Sequence, residues 1–468
     1  MLRIFGHFVP LPALALGLCE WLLLCAAFYL VNAPSDAWSL HLALQPAQAS
    51  AGIAGVALVA MSAVGLYQPE AFFDGRLLAI KVAAAMLLVA PVTAAFGVVF
   101  SGHAVDAAGR GWALWSLEAS TVWVAAVLAA RTAFLHLLDG ERFRRPVVVL
   151  GTGARARRIA ELVARGENRS FSVKGFVHAC GDLRLVLGSS LDLDGAEDPQ
   201  ALNRFVAATG ARELIVATDE RRGMPIEQLL HCKISGITVL DFLTFFERET
   251  RKVDLDWLQP SWLIYSDGFR QGARVDAAKR ALDVAASTLL LLFVLPVLLA
   301  AIIAIKLEDG GPVLYRQERV GRNGRRFTLF KLRSMRPDAE RDGAPQWAQT
   351  RDPRVTRVGA ILRKFRIDEL PQLLNVLKGE MSFVGPRPER PVFVEELAAA
   401  IPFYRERHSV KPGITGWAQV NYPYGASLED ARHKLGYDLY YVKNRTLFLD
   451  VLILVQTVRV ILFHEGAR

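Results

Sequence analysis

Residues 363–390 read Arg363-Lys364-Phe365-Arg366-Ile367-Asp368-Glu369-Leu370-Pro371-Gln372-Leu373-Leu374-Asn375-Val376-Leu377-Lys378-Gly379-Glu380-Met381-Ser382-Phe383-Val384-Gly385-Pro386-Arg387-Pro388-Glu389-Arg390. An adjacent acid pair, Asp368 and Glu369, follows Arg363, Lys364 and Arg366. The spacing predicts a helix that begins at the acid pair. Pro371 suits a first turn, where its missing N–H has no partner to lose. Leu370, Leu373, Leu374 and Leu377 keep helical spacing, and Gly379 can end the helix. Carboxylates and cations gathered at a helix N-terminus make a place to handle phosphate, because free N–H groups and the dipole attract anions there. The two acids are also candidate oxygen ligands for a divalent cation. Taken alone, such a pair also decorates many solvated helix starts, so the flanking sequence carries the weight.

Working outward, Gly311-Pro312-Val313 leads into Arg316-Gln317-Glu318-Arg319-Val320-Gly321. Lys331-Leu332-Arg333-Ser334-Met335, Lys411-Pro412-Gly413-Ile414-Thr415-Gly416-Trp417-Ala418-Gln419-Val420 and Tyr437-Asp438-Leu439-Tyr440-Tyr441 follow. With the opening stretch, these ordered motifs over roughly 275–465 resemble the bacterial sugar transferases, which load a polyprenyl phosphate with a sugar phosphate. Ile4-Phe5-Gly6-His7 and the stretch from Trp257 to Gly268, with its Pro260-Ser261-Trp262-Leu263-Ile264-Tyr265-Ser266-Asp267-Gly268, resemble the longer, multi-span members associated with exosortase-type exopolysaccharide loci.

Composition agrees with a membrane protein. The chain has 468 residues, 52% of them hydrophobic, and a mean hydropathy of +0.27. That is too apolar for an ordinary soluble protein and predicts several membrane segments plus globular parts. The net charge is +9 and the pI about 9.5. A basic excess suits nucleic acid, anionic lipid or phosphorylated substrate. No nucleic-acid-binding signature is present, and in a chain with spans the positive-inside bias explains much of the excess. Cys19, Cys25, Cys180 and Cys232 form no Cys-x-x-Cys pair and no zinc pattern.

Four apolar segments, 11–31, 50–67, 79–100 and 112–135, approach the roughly 20 residues needed to cross a bilayer. Arg3, Arg76, Lys81, Arg142, Arg144 and Arg145 flank them, while 32–49 carries no Lys or Arg. This predicts a retained four-span anchor over 1–140 with both its ends in the cytoplasm.

Residues 141–270 read as a Rossmann-like α/β domain. Val147-Val148-Val149-Leu150 is a buried-strand pattern, followed by Gly151-Thr152-Gly153-Ala154-Arg155-Ala156 and a helix; Leu214–Ala217 and Ile237–Leu240 are further strands. A Gly-x-Gly turn between strand and helix can bind a pyrophosphate. Here the third Gly is Ala, and Asp182 is the only nearby acid for a ribose, so a tight turn with no nucleotide is the favoured reading.

The last region, 271–468, is expected to be a mainly helical catalytic domain. Its first apolar stretch, 281–305, is preceded by Lys279 and Arg280 and followed by Lys306, and carries Pro296 in mid-segment. Both ends favour the cytoplasmic side, and Pro296 removes a helical hydrogen bond. The expectation is a re-entrant membrane helix over about 279–306, bent near Leu295 and Pro296. Residues 312–333 predict a β-hairpin turning at Gly321-Arg322-Asn323-Gly324. The apolar run 446–463 is either an interfacial helix, the favoured reading, or a final packing helix.

The resemblance implies transfer of a sugar 1-phosphate from a UDP-sugar to undecaprenyl phosphate, with release of UMP, at the cytoplasmic face of a bacterial inner membrane. It implies that Asp368 is the nucleophile of a covalent intermediate, with Glu369 holding Mg²⁺ or orienting Asp368. Arg363 matches a family arginine and suits a phosphate clamp; Arg366 departs from the small hydroxyl residue common there and receives no role. Gly385-Pro386-Arg387-Pro388 is expected to present Arg387 to a phosphate. Lys279 and Arg280 are expected at the head of the lipid carrier. Trp417, Gln419, Tyr437 and Asp438 either line the nucleotide-sugar pocket or pack, and His408 is structural. The extra domains suggest a homodimer, which no motif demands. A dehydratase or epimerase would need a Tyr-x-x-x-Lys pair in the 141–270 region, which is not apparent, and a non-catalytic scaffold would be expected to have lost the acid pair or its arginines.

Overall fold

The computed structural model of the chain describes residues 2–4, 7–9, 11–32, 40–67, 78–90, 112–137, 144–269, 272–336 and 353–462, apart from 165–169, 180–181, 187–189, 194–197, 199, 221, 424 and 426. Short strands β1 (Leu2–Ile4) and β2 (His7–Val9) pair with each other. Helices α1 (Leu11–Asn32), α2 (Leu40–Ala63), α3 (Leu78–Ala90) and α4 (Trp112–Leu137) follow. Leu24, Ala57, Met61, Val82, Ala85, Trp123 and Val127 pack into one apolar cluster drawn from all four. The part of the expected third span beyond Ala90 lies outside the described residues.

The α/β region lies in one of the chain's two compact units, within the stretch Leu128–Tyr265. Its strands are β3 (Arg145–Leu150), β4 (Phe171–His178), β5 (Leu191–Asp192), β6 (Glu213–Val216) and β7 (Thr238–Asp241). Its helices are α5 (Ala154–Ala164), α6 (Ala201–Ala208), α7 (Ile226–Ile234), α8 (Phe242–Thr250) and α9 (Pro260–Tyr265). The sheet is parallel in the order β5-β4-β3-β6-β7. β3 reads as an unbroken apolar run because both its faces are covered. Val147 and Val149 meet Ile159, Phe242 and Phe245 on one side, while Val148 and Leu150 meet Leu202, Val206 and Cys232 on the other.

The C-terminal region opens with α10, a continuous helix from Ala273 to Asp309 with Pro296 inside it. Among the described residues it is the one helix long and apolar enough to cross a membrane. Strands β8 (Leu314–Val320) and β9 (Arg326–Leu332) form the expected antiparallel hairpin. Its turn uses Asn323 and Gly324 at positive φ. Helices α11 (Arg357–Lys364), α12 (Gln372–Lys378), α13 (Pro391–Ala400), α14 (Trp417–Asn421), α15 (Leu428–Asn444) and α16 (Leu447–Leu462) complete the region. Two short strands, β10 (Ser382–Val384) and β11 (Gly413–Thr415), pair in parallel. Helix α16 turns Asp450 and Arg459 inward, with Leu449 and Ile453 buried, and leaves Val451 and Ile461 outside. One face thus packs within the region and the outer face is apolar.

Candidate active site

The acid pair does not open a helix as the spacing predicts. Asp368 and Glu369 lie in a 3₁₀ turn, Ile367–Glu369, entered through Arg366 at φ 55°. Helix α12 begins after Pro371 and ends at Gly379, which takes the left-handed C-cap at φ 85°. With only seven residues in α12, anion attraction at this site comes from side chains and not from a helix terminus.

Both carboxylates are buried, Asp368 at 8% exposed and Glu369 at 9%. Glu369 Oε1 accepts from Lys331 Nζ at 2.9 Å and from Arg387 Nη2 at 2.8 Å. Its Oε2 lies 3.9 Å from Arg366 Nη1. Burial alone would raise the Glu369 pKa, but Arg387, Lys331 and Arg366 overcome it and hold the carboxyl well below its ordinary range. Asp368 behaves in the opposite way. Burial, then the neighbouring Glu369 charge, raises its pKa from 3.8 to about 6, against the pull of Lys331, Arg363 and Arg387. One acid is thus fixed as an anion within a ring of cations. The other is poised to change charge near neutral pH.

Lys331 belongs to this cluster although the sequence reading gave it no role. β9 supplies it, and Asn375 of α12 locks that strand to the acid turn by accepting from Phe330 N at 3.1 Å and donating to Thr328 O at 2.7 Å. Arg387 comes from the loop after β10. That loop needs glycine: a Cβ on Gly385 would lie 2.3 Å from Lys411 O. Arg363, in the last turn of α11, sits near enough to lower the Asp368 pKa.

Other candidates fall outside this cluster. Lys279 is buried and donates to Asp450 Oδ2 at 2.7 Å and Val384 O at 3.1 Å. Arg280 donates to the last carbonyls of α12, Val376 O and Leu377 O, at 2.5 and 2.7 Å. These contacts tie α10 to the domain: Lys279 serves a buried ion pair and half-buried Arg280 a helix C-terminus. Trp417 is 1% exposed and stacks on Tyr440. Gln419 Nε2 holds Ile414 O at 3.1 Å. Asp438 is paired with buried Arg407 at 2.7 Å. Trp417 and Asp438 are packed inside the fold, whereas Gln419 and Tyr437, the latter beside Tyr422, are half-buried. His408 packs edge-on to Tyr404, and burial plus Arg407 lower its pKa to about 4, so it is neutral and structural.

A divalent cation can be weighed against the donors present. Among the described residues no group of three or more His, Cys, Asp or Glu side chains is placed to hold a metal. Mg²⁺ commonly binds through one or two carboxylates together with substrate phosphates and waters. Asp368 fits that pattern. Glu369 fits it only through Oε2, because Oε1 is already shared by Lys331 and Arg387.

In the α/β region, the Gly151 turn is filled from within the chain. Asp219 accepts from Ala154 N at 2.6 Å and Arg155 N at 3.1 Å. Asp182 accepts from Thr152 N at 3.0 Å and from Asp219 N at 2.9 Å. These are the N–H groups that a pyrophosphate would require, and Asp182 serves the turn rather than a ribose. A Cβ on Gly153 would lie 2.1 Å from Asp219 Oδ2.

Residues 274–464 match the family model described as bacterial sugar transferase. The chain is 46% identical over 241 residues to the UDP-N-acetylgalactosamine-undecaprenyl-phosphate N-acetylgalactosaminephosphotransferase of Aeromonas hydrophila, covering 51% of this chain and 56% of that one. It is 46% identical over 195 residues to the undecaprenyl-phosphate glucose phosphotransferase of Komagataeibacter xylinus, covering 40% of this chain and 36% of that one. The UDP-glucose:undecaprenyl-phosphate glucose-1-phosphate transferase of Xanthomonas campestris pv. campestris is 32% identical over 377 residues, 78% of each chain. The chain thus spans about half of the first relative, a third of the second and most of the third.

Proposed function

Because the chain belongs to the bacterial sugar transferase family, we propose that it moves a sugar 1-phosphate from a UDP-sugar to undecaprenyl phosphate and releases UMP. The observation that carries this reading is the unequal acid pair within a ring of Lys331, Arg363, Arg366 and Arg387. Phosphoryl transfer between two anions needs charge neutralisation above all. The sugar is left open, since the relatives' names include both glucose and N-acetylgalactosamine.

In the proposed reaction an Asp368 carboxylate oxygen attacks the β-phosphorus of the UDP-sugar. An aspartyl P–O bond forms as the bond to the α-phosphate oxygen breaks, and UMP leaves with that electron pair. An oxygen of undecaprenyl phosphate then attacks the same phosphorus. The aspartyl bond breaks, and Asp368 returns as a carboxylate. Glu369 stays ionised and spaces Lys331 and Arg387 around the incoming diphosphate. Asp368, with Oε2 of Glu369, would hold Mg²⁺, which would polarise phosphoryl oxygens and shield the approaching anions.

A re-entrant course for α10 is part of this reading. Its 37 residues would measure about 55 Å if straight, against a hydrocarbon core of about 30 Å. Near its start Asp276 pairs with Arg445 and Asp283 with Ser382. Near its end Asp309 pairs with Arg333, and Glu308 accepts from Val358 N. A spanning helix would put these attachments on opposite faces of the bilayer, although one folded region makes all of them. Between them Leu289, Leu292, Phe293 and Leu299 are exposed and apolar, as lipid contact requires. We place the catalytic region on the cytoplasmic face of the inner membrane, α1–α4 as a four-span anchor, and the parallel-sheet domain as a Rossmann-like module without a nucleotide. Exopolysaccharide initiation is the expected role.

The test is UMP release by purified protein from a panel of UDP-sugars with Mg²⁺ and undecaprenyl phosphate. Release that depends on the lipid with at least one sugar supports the reading. Folded protein that releases nothing with any sugar overturns it.

A further inference from the structure

The loop that presents Arg387 is held by four consecutive carbonyls. Pro386 O accepts from Gly413 N at 2.9 Å and Glu389 O from Val320 N at 3.0 Å. Pro388 O accepts from Arg319 Nη1 at 3.0 Å. Arg387 O, the carbonyl of the functional residue itself, accepts from Arg407 Nη2 at 3.1 Å.

Arg407 is unusually costly to place there. It is 5% exposed and its partner Asp438 is 2% exposed. Its Nε and Nη2 lie 2.9 and 2.7 Å from Asp438 Oδ2, and Nη1 donates to Tyr404 Oη at 3.2 Å. Burial pulls the guanidinium pKa down, but Tyr404 and Asp438 more than offset it, and the group stays charged. A buried pair is weak evidence for stability, because its desolvation cost often matches its attraction. This pair does something an apolar pair could not do: it aims a charged N–H at the backbone of Arg387.

We infer that Arg407, itself fixed by Asp438, is a positioning residue that sets the backbone of Arg387, and so the direction from which the Arg387 guanidinium reaches Glu369 and the substrate phosphate. The structural part of this inference stands without the transfer reaction; its consequence for rate rests on the reading above. Misplacing a positioning group by about 1 Å can cost about a hundredfold in rate.

The experiment combines a double-mutant cycle with hydrogen exchange. Arg407→Lys keeps the charge and loses the fork, so it should lower kcat/KM at least tenfold in the parent. In an Arg387→Ala background the same change should cost less than twofold, because its effect runs through Arg387. Equal factors in the two backgrounds overturn the inference. Hydrogen exchange is read on the folded protein whatever its activity. The amides of Gly413 and Val320, which donate to the loop, should exchange at least tenfold faster in Arg407→Lys, while those of β3 and β6 stay unchanged. Unchanged exchange at both loop donors overturns the inference. If the parent shows no transfer, the proposed reaction fails in the kinetic arm while exchange still decides the bracket. Should Arg407→Lys not fold, Asp438→Asn, which keeps an acceptor for Arg407, is read by the same outcomes.

Discussion

Arg387 and Lys331 converge on one oxygen of Glu369, at 2.8 and 2.9 Å. They reach it from two elements far apart in sequence, the loop after β10 and the strand β9. Glu369 is therefore the hub of the cation ring, and its charge is one of the two causes that raise the Asp368 pKa.

Glu369→Gln should separate these two roles. Losing the charge frees Lys331 and Arg387 and removes the repulsion on Asp368. The expected result is a fall in kcat/KM of about a hundredfold, together with an acid limb of the pH profile displaced below that of the parent. Rates measured against pH in both proteins check this; an unmoved acid limb would show that Glu369 does not govern Asp368.

The pH dependence of the parent follows from the Asp368 pKa of about 6. A nucleophilic carboxylate must be ionised, so kcat/KM should fall about tenfold per pH unit as pH drops below about 6. In Asp368→Asn no such limb should remain in any residual activity.

Asp368 should also cost stability. A carboxyl whose folded pKa exceeds its unfolded value binds its proton more tightly when folded. Its contribution is then most favourable below the unfolded pKa and is lost as pH rises through about 6. The distance from 3.8 to about 6 corresponds to an upper bound of about 3 kcal/mol. Asp368→Asn should raise the melting temperature at pH 8 and matter far less at pH 4, as thermal unfolding at the two pH values would show.

Lys279 should prove structural. Replacing it by Met leaves Asp450 buried without its cation, an effect of about 3–5 kcal/mol. The double variant Lys279→Met with Asp450→Leu should recover much of that loss. Recovery of folded yield without a specific change in the KM for undecaprenyl phosphate would agree; full folding of Lys279→Met with a raised lipid KM would restore the lipid-head role.

The α/β domain should bind no dinucleotide, because Asp219 and Asp182 already occupy the N–H groups of the Gly151 turn. NAD⁺, NADP⁺ and UDP should leave the hydrogen exchange of 151–156 unchanged. Protection of those amides by any of the three would contradict this.

Much of the active site was legible because it is local. Asp368, Glu369, Arg363 and Arg387 lie within one 25-residue stretch, and the structure gathers them into one charge cluster. The buried run of β3 and the hairpin turn at Gly321-Arg322-Asn323-Gly324 were legible for the same reason: a continuous apolar run and turn chemistry are short-range signals. What escaped was long-range pairing. Lys279 meets Asp450 across 171 positions, Arg280 caps α12 across 96, and Asp438 meets Arg407 across 31. No local pattern distinguishes a cation aimed at phosphate from one spent inside the fold. One signal was available for Lys279: Asp450 stands in the first turn of a mostly apolar helix and must find a partner.

In the proposed transfer Asp368 becomes covalently phosphorylated by the sugar donor. This step is tested most directly by incubating the protein with the active UDP-sugar in the absence of undecaprenyl phosphate, quenching in acid and measuring the mass of the peptide that holds Asp368. A sugar-phosphate adduct on Asp368 is expected, formed with a burst of UMP and discharged when lipid is added. UMP release that begins only with lipid, with no adduct on Asp368 at any time, would contradict it.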